Sequence, residues 1–189
     1  DLCFRIDPVD ERVSKIGDCM IRVAITGPES TGKSSLAKVL AEHYNTLWVP
    51  EYSREYIDNL DRDYTYEDVE KIAVSQIQKE KELLPSAKTI LFADTELLVI
   101  KIWLEHKFNK TPYWLDYEID RQKYDLYLLC DIDIPWEYDP QREHPELRQY
   151  FFDLYQQKLK NRGFKYIIVS GDEEMRFQTS TNEISKLLR

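Results

Sequence analysis

The sequence predicts an α/β domain with a mostly parallel five-stranded sheet flanked by helices. Three observations predict it. Short apolar segments of strand length alternate along the chain with longer segments of helical periodicity. The strand segments are apolar at consecutive positions, so both of their faces are covered, as in parallel sheets. The segment Gly27-Pro28-Glu29-Ser30-Thr31-Gly32-Lys33-Ser34 stands between the first strand and the first helix and matches the spacing G-x-x-x-x-G-K-[ST].

The elements follow in order. Residues 21–26 read as a buried strand ending in a glycine turn. A helix after Gly32 carries Leu36, Val39, Leu40 and His43 on one face, at i, i+3, i+4, i+7. Residues 46–49 form a second strand, ending at Pro50-Glu51. Thr65 and Asp68 have capping-box spacing and open a long helix with Val69, Ile72, Ala73, Ile77 and Leu84 inward, stopped near Pro85. Residues 89–94 are a third strand, apolar until Asp94, and a helix follows through about Glu105. Pro112 starts a shorter helix, and residues 125–130 are a fourth strand. The polar, Pro-rich stretch 131–145 reads as a long loop or lid, running to about residue 148. A helix over 146–161 is closed by Gly163, residues 165–169 are a fifth strand, and a last helix carries Ile184, Leu187 and Leu188.

Composition narrows the function. The 189 residues are 42% hydrophobic and 32% charged, which suits one packed domain. No apolar run approaches the ~20 residues of a membrane span, so no membrane association is expected. Lys+Arg 26 against Asp+Glu 35 gives a net charge of -9, which opposes sequence-independent binding of nucleic acid. Cys3, Cys19 and Cys130 lack C-x-x-C spacing, which argues against a disulfide framework or a zinc site and fits a reducing, cytoplasmic location. His43, His106 and His144 have no metal or triad spacing. Residues 1–19 precede Met20 and the first strand, and are expected to be an extension, either a flexible arm or non-native, outside a domain of residues 20–189. Glycine numbers only 5, well below the ~7% of an average protein, and two of the five lie in the first turn. Such a chain concentrates glycine there for a reason.

The reason is phosphate. Glycines let a loop curl so that successive N–H groups point at phosphate oxygens. Gly27, Glu29, Ser30, Thr31, Gly32, Lys33, Ser34 and Ser35 are the candidate ATP-binding set, Lys33 reaching the β/γ-phosphates and Ser34 a candidate Mg²⁺ ligand. Asp94, at the end of an apolar strand, is either a second Mg²⁺ group of Walker B type or a helix cap. A GTPase would need Asp-x-x-Gly where Asp94-Thr95-Glu96-Leu97 stands, and N-K-x-D where Asn109-Lys110-Thr111-Pro112 stands. What remains is a P-loop NTPase of the small-molecule or nucleotide kinase layout, whose lid supplies arginines to the transferring phosphoryl group. Arg142 and Arg148 are the candidates, unless this stretch is a solvated charged loop. Glu51 and Arg54 follow the second strand and face the same crevice, because ligands of open α/β sheets bind outside the carboxyl strand ends. Glu51 is the candidate base for the acceptor hydroxyl and Arg54 its holder; the alternative is a surface ion pair on a short helix.

Four ordered blocks resemble the ribosylnicotinamide kinase domain of the bacterial NadR family. They are the G-x-E-S-x-G-K-S loop at 27–34, E-Y-x-R-E at 51–55, Asp94-Thr95, and W-x-x-D-x-x-R at 136–142. Glu29, the E-Y-x-R-E block and the Trp-led lid are the more specific parts. The resemblance implies a P-loop kinase fold and transfer of the γ-phosphoryl of ATP to the ribose 5′-hydroxyl of nicotinamide riboside, a step of NAD biosynthesis. It implies Lys33, Glu51, Asp94 and Arg142 as catalytic, and Ser34 and Asp94 at Mg²⁺. Glu51, Tyr52, Arg54, Asp94, Asp139 and Trp136 would meet the acceptor, with Trp136 beside the pyridinium ring. Glu96 and Tyr138 replace acids of the family pattern and are expected to bear on acceptor identity. The family's DNA-binding and adenylyltransferase parts have no counterpart in these residues, so neither activity is expected. Two other readings stay open: a kinase of another nucleoside-like or cationic heteroaromatic alcohol, and an ATP-binding regulatory module.

Overall fold

The computed structural model describes residues 20–189; the expectations for residues 1–19, Cys3 and Cys19 lie outside them. Five strands are present: β1 (Ile21–Thr26), β2 (Trp48–Val49), β3 (Ile90–Asp94), β4 (Leu126–Cys130) and β5 (Tyr166–Val169). They alternate with α1 (Lys33–His43), α2 (Tyr52–Asp58), α3 (Tyr66–Leu83), α4 (Leu97–Phe108), α5 (Leu115–Arg121), α6 (Arg148–Asn161) and α7 (Glu173–Leu187). The sheet order is β2-β3-β1-β4-β5 and every pairing is parallel. This is the predicted fold class, an α/β P-loop domain.

Each strand sends successive side chains to opposite faces, and both faces are buried. Val23, Ile25, Phe92, Leu126 and Leu128 pack under Leu36, Ala37, Leu40 and Ala41 of α1 and Ile184 of α7. On the other face Ala24, Leu91, Tyr127 and Leu129 meet Val69, Ile72 and Ala73 of α3, Leu98 and Ile102 of α4 and Leu159 of α6. β1 lies at the centre, flanked by β3 and β4, with Ile25 opposite Asp94. The P-loop and the Asp94 end of β3 are therefore neighbours at the carboxyl edge of the sheet.

Two sequence expectations need correction. The buried stripe of α1 is Leu36, Ala37, Leu40 and Ala41, whereas Val39 is 45% exposed and His43 is exposed. The helix lies flat on the sheet, and the two alanines, being small, allow that close approach. The second strand is only Trp48–Val49, an edge strand paired on one side alone, and Leu84 falls in a short 3₁₀ turn with Pro85 after α3 has ended. The capping box is present: the Thr65 N–H donates to Asp68 Oδ2 at 2.8 Å. Among the described residues no helix is long and apolar enough to cross a membrane.

Candidate active site

A cavity of about 820 Å³ opens at the carboxyl edge of the sheet. Its floor is the P-loop. Gly27 has φ +133°, and a Cβ there would stand 2.9 Å from the Cys130 carbonyl, so only glycine lets the loop pass β4. Gly32 caps α1 in the left-handed conformation, φ +74°, turning the first N–H groups of the helix toward the loop. The Thr31 hydroxyl and Lys33 Nζ both donate to the Pro28 carbonyl, at 2.8 and 2.7 Å. Gly27, Glu29, Ser30, Thr31, Gly32, Lys33, Ser34 and Ser35 all line the cavity, as the sequence predicts.

Asp94 is 2% exposed, and burial pushes its carboxyl up to about 6. The Ser34 hydroxyl beside it and the charges of Lys33 and Arg54 oppose that rise, while Glu51 adds to it. Five predicted residues from three separate segments thus share one electrostatic cluster. Asp94 is not a helix cap; Glu96 caps α4 instead, accepting from the Leu98 N–H at 2.6 Å. One oxygen of Asp94, Oδ1, is buried without a hydrogen-bond partner. A buried, unpartnered carboxylate oxygen next to a hydroxyl is a donor set suited to Mg²⁺, which takes one or two protein oxygens and completes its shell with phosphate and water.

Glu51 lies at the N-terminus of α2, lines the cavity and accepts from the Ser53 hydroxyl at 2.7 Å. Arg54 Nε stands 3.8 Å from Glu51, and Arg54 Nη1 donates to Asp139 Oδ2 at 2.7 Å. This turn is held by a residue the sequence did not single out, Gln76 of α3. Its amide accepts from the Tyr52 N–H at 3.1 Å and donates to the Thr95 carbonyl at 3.2 Å, tying Glu51's turn to the end of β3. Thr95 itself has φ +70°, costly for a β-branched residue, by about 1–3 kcal/mol. Its N–H donates to Ile25 at 3.2 Å, so both neighbouring strands hold the strained turn in place.

The segment after β4 folds down onto the P-loop. The Glu137 N–H donates to Ser30 Oγ at 2.9 Å, and the N–H groups of Glu143 and His144 donate to Glu29 Oε2 at 3.1 and 3.4 Å. Burial raises the Glu29 carboxyl, against the pull of those donors. Arg142 lines the cavity, with Nη1 3.3 Å from Ser30 Oγ. Arg148 does not line it: its guanidinium donates to the carbonyls of Ser30 and Ile134, at 2.9 and 3.0 Å, and so ties the segment to the loop. Trp136 does not line it either; its ring faces the Arg148 guanidinium, 5.9 Å from the centroid. Tyr52 is likewise outside the wall, packed on Tyr56 with the Lys79 ammonium over its ring at 4.7 Å. Asp139 reaches the site only through Arg54.

Glu96 also departs from expectation. It is fully buried beneath the cavity, accepts from the Thr26 hydroxyl at 3.1 Å and has its carboxyl pushed up to about 7 by burial. It is a tie between β1 and α4, too deep to touch an acceptor. Tyr138 is 85% exposed. Arg176 of α7 was not found from sequence, where it reads as an ordinary helix residue; it is 5% exposed and donates to Thr31, Gly171 and Asp131 carbonyls at 2.9, 2.8 and 3.1 Å and to the Asp133 carboxylate.

A family profile described as AAA domain matches residues 22–176, from β1 into α7. The chain belongs to this AAA domain family. A curated relative of this AAA domain is the trifunctional NAD biosynthesis/regulator protein NadR of Salmonella typhimurium, 28% identical over 173 residues, covering 88% of this chain and 42% of the relative. The AAA domain here thus spans less than half the length of that relative. Among solved structures, NadR in complex with NR superposes with TM-score 0.71 at 20% identity, covering 92% of this chain and 52% of that one. A deoxyadenosine kinase from M. mycoides superposes with TM-score 0.57 at 14% identity, covering 88% of this chain and 100% of that one. The likeness to both is one of fold, and the fold is that of P-loop kinases.

Proposed function

We propose that this domain is an ATP-dependent kinase of a nucleoside-like small molecule, with nicotinamide riboside as its acceptor and the ribose 5′-hydroxyl as the point of transfer. The observation that carries the reading is that a P-loop, a strand-terminal carboxylate beside its Ser34, and a Glu51–Arg54 pair meet in one cavity. A motif for phosphate alone would suit any nucleotide-binding protein. A second carboxylate, on the far side of the cavity from the helix that follows the loop, is what an acceptor hydroxyl requires. The similarity to NadR, one structure of which holds NR, favours nicotinamide riboside among nucleosides.

In this reading the backbone N–H groups of residues 27–34 and Lys33 bind the β- and γ-phosphates of ATP. Ser34 and Asp94 hold Mg²⁺, which neutralises charge on the transferring group. Glu51 accepts the proton of the 5′-hydroxyl, and Arg54, anchored by Asp139, orients it. Arg142 meets the phosphoryl oxygens from the segment that closes over the loop. Phosphoryl transfer asks little covalent chemistry of a protein, so positioning of these charges is the catalysis.

The test is ATP turnover with and without nucleosides, followed by identification of the phosphorylated product. Strong stimulation by nicotinamide riboside with phosphate on the 5′-oxygen is expected. Turnover indifferent to every nucleoside would instead mark a regulatory ATP-binding module. Reduced, uncharged dihydronicotinamide riboside and uridine serve as comparators for the ring's charge.

A further inference from the structure

Beyond Glu51 and Arg54 the cavity continues into a chamber that phosphoryl transfer itself does not use. Its wall is one face of α4: Val99, Ile102, Trp103 and His106, at i, i+3, i+4, i+7, all line it. α4 starts just after Asp94, and Trp103 lies six residues past Leu97, about 9 Å of helix rise further from the phosphate end. Across from this face stands Phe151 of α6, its ring 4.9 Å from that of His106.

The indole of Trp103 is held by its edge. Nε1 donates to the Tyr64 hydroxyl at 3.0 Å, and the two rings sit 5.0 Å apart at 71°. The Tyr64 hydroxyl in turn donates to Glu143 at 2.7 Å and accepts from Lys107 at 2.5 Å. Every polar atom of the pair is thereby satisfied within the protein. What a Trp so pinned offers a ligand is its π surface, fixed in orientation and needing no ordering on binding. Trp136, by contrast, is turned to Arg148.

We propose that Trp103, braced by Tyr64, is the surface on which the aromatic ring of the acceptor stacks, so that the acceptor is recognised by its heteroaromatic ring as well as by its sugar. The inference rests on the kinase reading above and adds the ring-binding residue to it. Glu143 belongs to the segment that closes over the P-loop, so the same brace links the ring subsite to that closure.

Two readouts test it. Trp103→Leu should raise KM for nicotinamide riboside about tenfold while KM for ATP and the melting temperature stay unchanged, and Trp103→Phe should recover most of the loss. Nicotinamide riboside should quench the intrinsic tryptophan fluorescence of the wild type, and Trp103→Phe should abolish most of that quenching. An unchanged acceptor KM in a folded Trp103→Leu protein overturns the inference and leaves the kinase reading standing. A raised acceptor KM in Trp136→Leu without one in Trp103→Leu overturns it too. Trp103-dependent quenching in a protein that phosphorylates no nucleoside overturns the kinase reading and keeps the ring subsite.

Discussion

The guanidinium of Arg176, in the last helix, donates to the carbonyl of Thr31 inside the P-loop at 2.9 Å, across 145 residues of chain. The same group reaches Gly171, Asp131 and Asp133, so one side chain joins the loops after β4 and β5 to the phosphate cradle. Arg176→Met leaves those carbonyls and the Asp133 carboxylate without their donor. It should lower stability by on the order of 2 kcal/mol and raise KM for ATP. Arg176→Lys keeps the charge but cannot fork to several acceptors, and should fall in between. Denaturant midpoints and ATP titrations check this; wild-type values in the Met variant contradict it.

Lys33→Ala should fold normally and lose phosphoryl transfer by about 10²–10³ in rate, because it removes a preorganised charge from the developing phosphoryl group. Lys33 bonds only a loop carbonyl in the protein, so its loss costs the fold little. Near-wild-type turnover would remove the P-loop from the mechanism.

Glu51 lines the cavity, whereas Asp94 lies beneath it beside Ser34. Glu51→Gln should therefore lower kcat with little change in KM for ATP, and Asp94→Asn should shift the Mg²⁺ concentration needed for half-maximal rate. Kinetics at varied Mg²⁺ separate the two, and the reverse pattern exchanges the roles. Asp94 must lose its proton to hold a cation, so Mg²⁺-dependent nucleotide affinity should rise as pH climbs through about 6.

Stability should fall with rising pH near neutrality. Glu96 is raised from 4.5 to about 7 and Asp94 from 3.8 to about 6, so the folded protein holds their protons more tightly than the unfolded chain. The stability they contribute is fully present below their unfolded values and is lost as pH rises through 6 to 7. For Glu96 the loss is on the order of 3 kcal/mol. Glu96→Gln keeps an oxygen for the Leu98 N–H and carries no charge, so its unfolding free energy should depend less on pH between about 5 and 8. Identical pH profiles for variant and wild type would show that Glu96 is not the source.

The sequence by itself determined the layered architecture, the phosphate cradle and the two carboxylates. Each of these is written in local terms: runs of apolar residues, glycines that a tight turn requires, and acids at strand ends. Strand order followed as well, because a P-loop strand between a Walker B strand and β4 is how such a chain closes its sheet. Only the tertiary structure decided which members of the lid face the cavity. Arg142 does, while Arg148 and Trp136 face each other, and nothing in the spacing of an irregular segment separates those outcomes. Gln76 and Arg176 were illegible for the same reason, since each acts on backbone carbonyls that are distant in sequence and carry no side-chain signature. Glu96 shows the converse. Its spacing from Asp94 points to a site, yet its burial against Thr26 makes it a cap beneath one, because a residue's depth depends on what the rest of the chain packs over it.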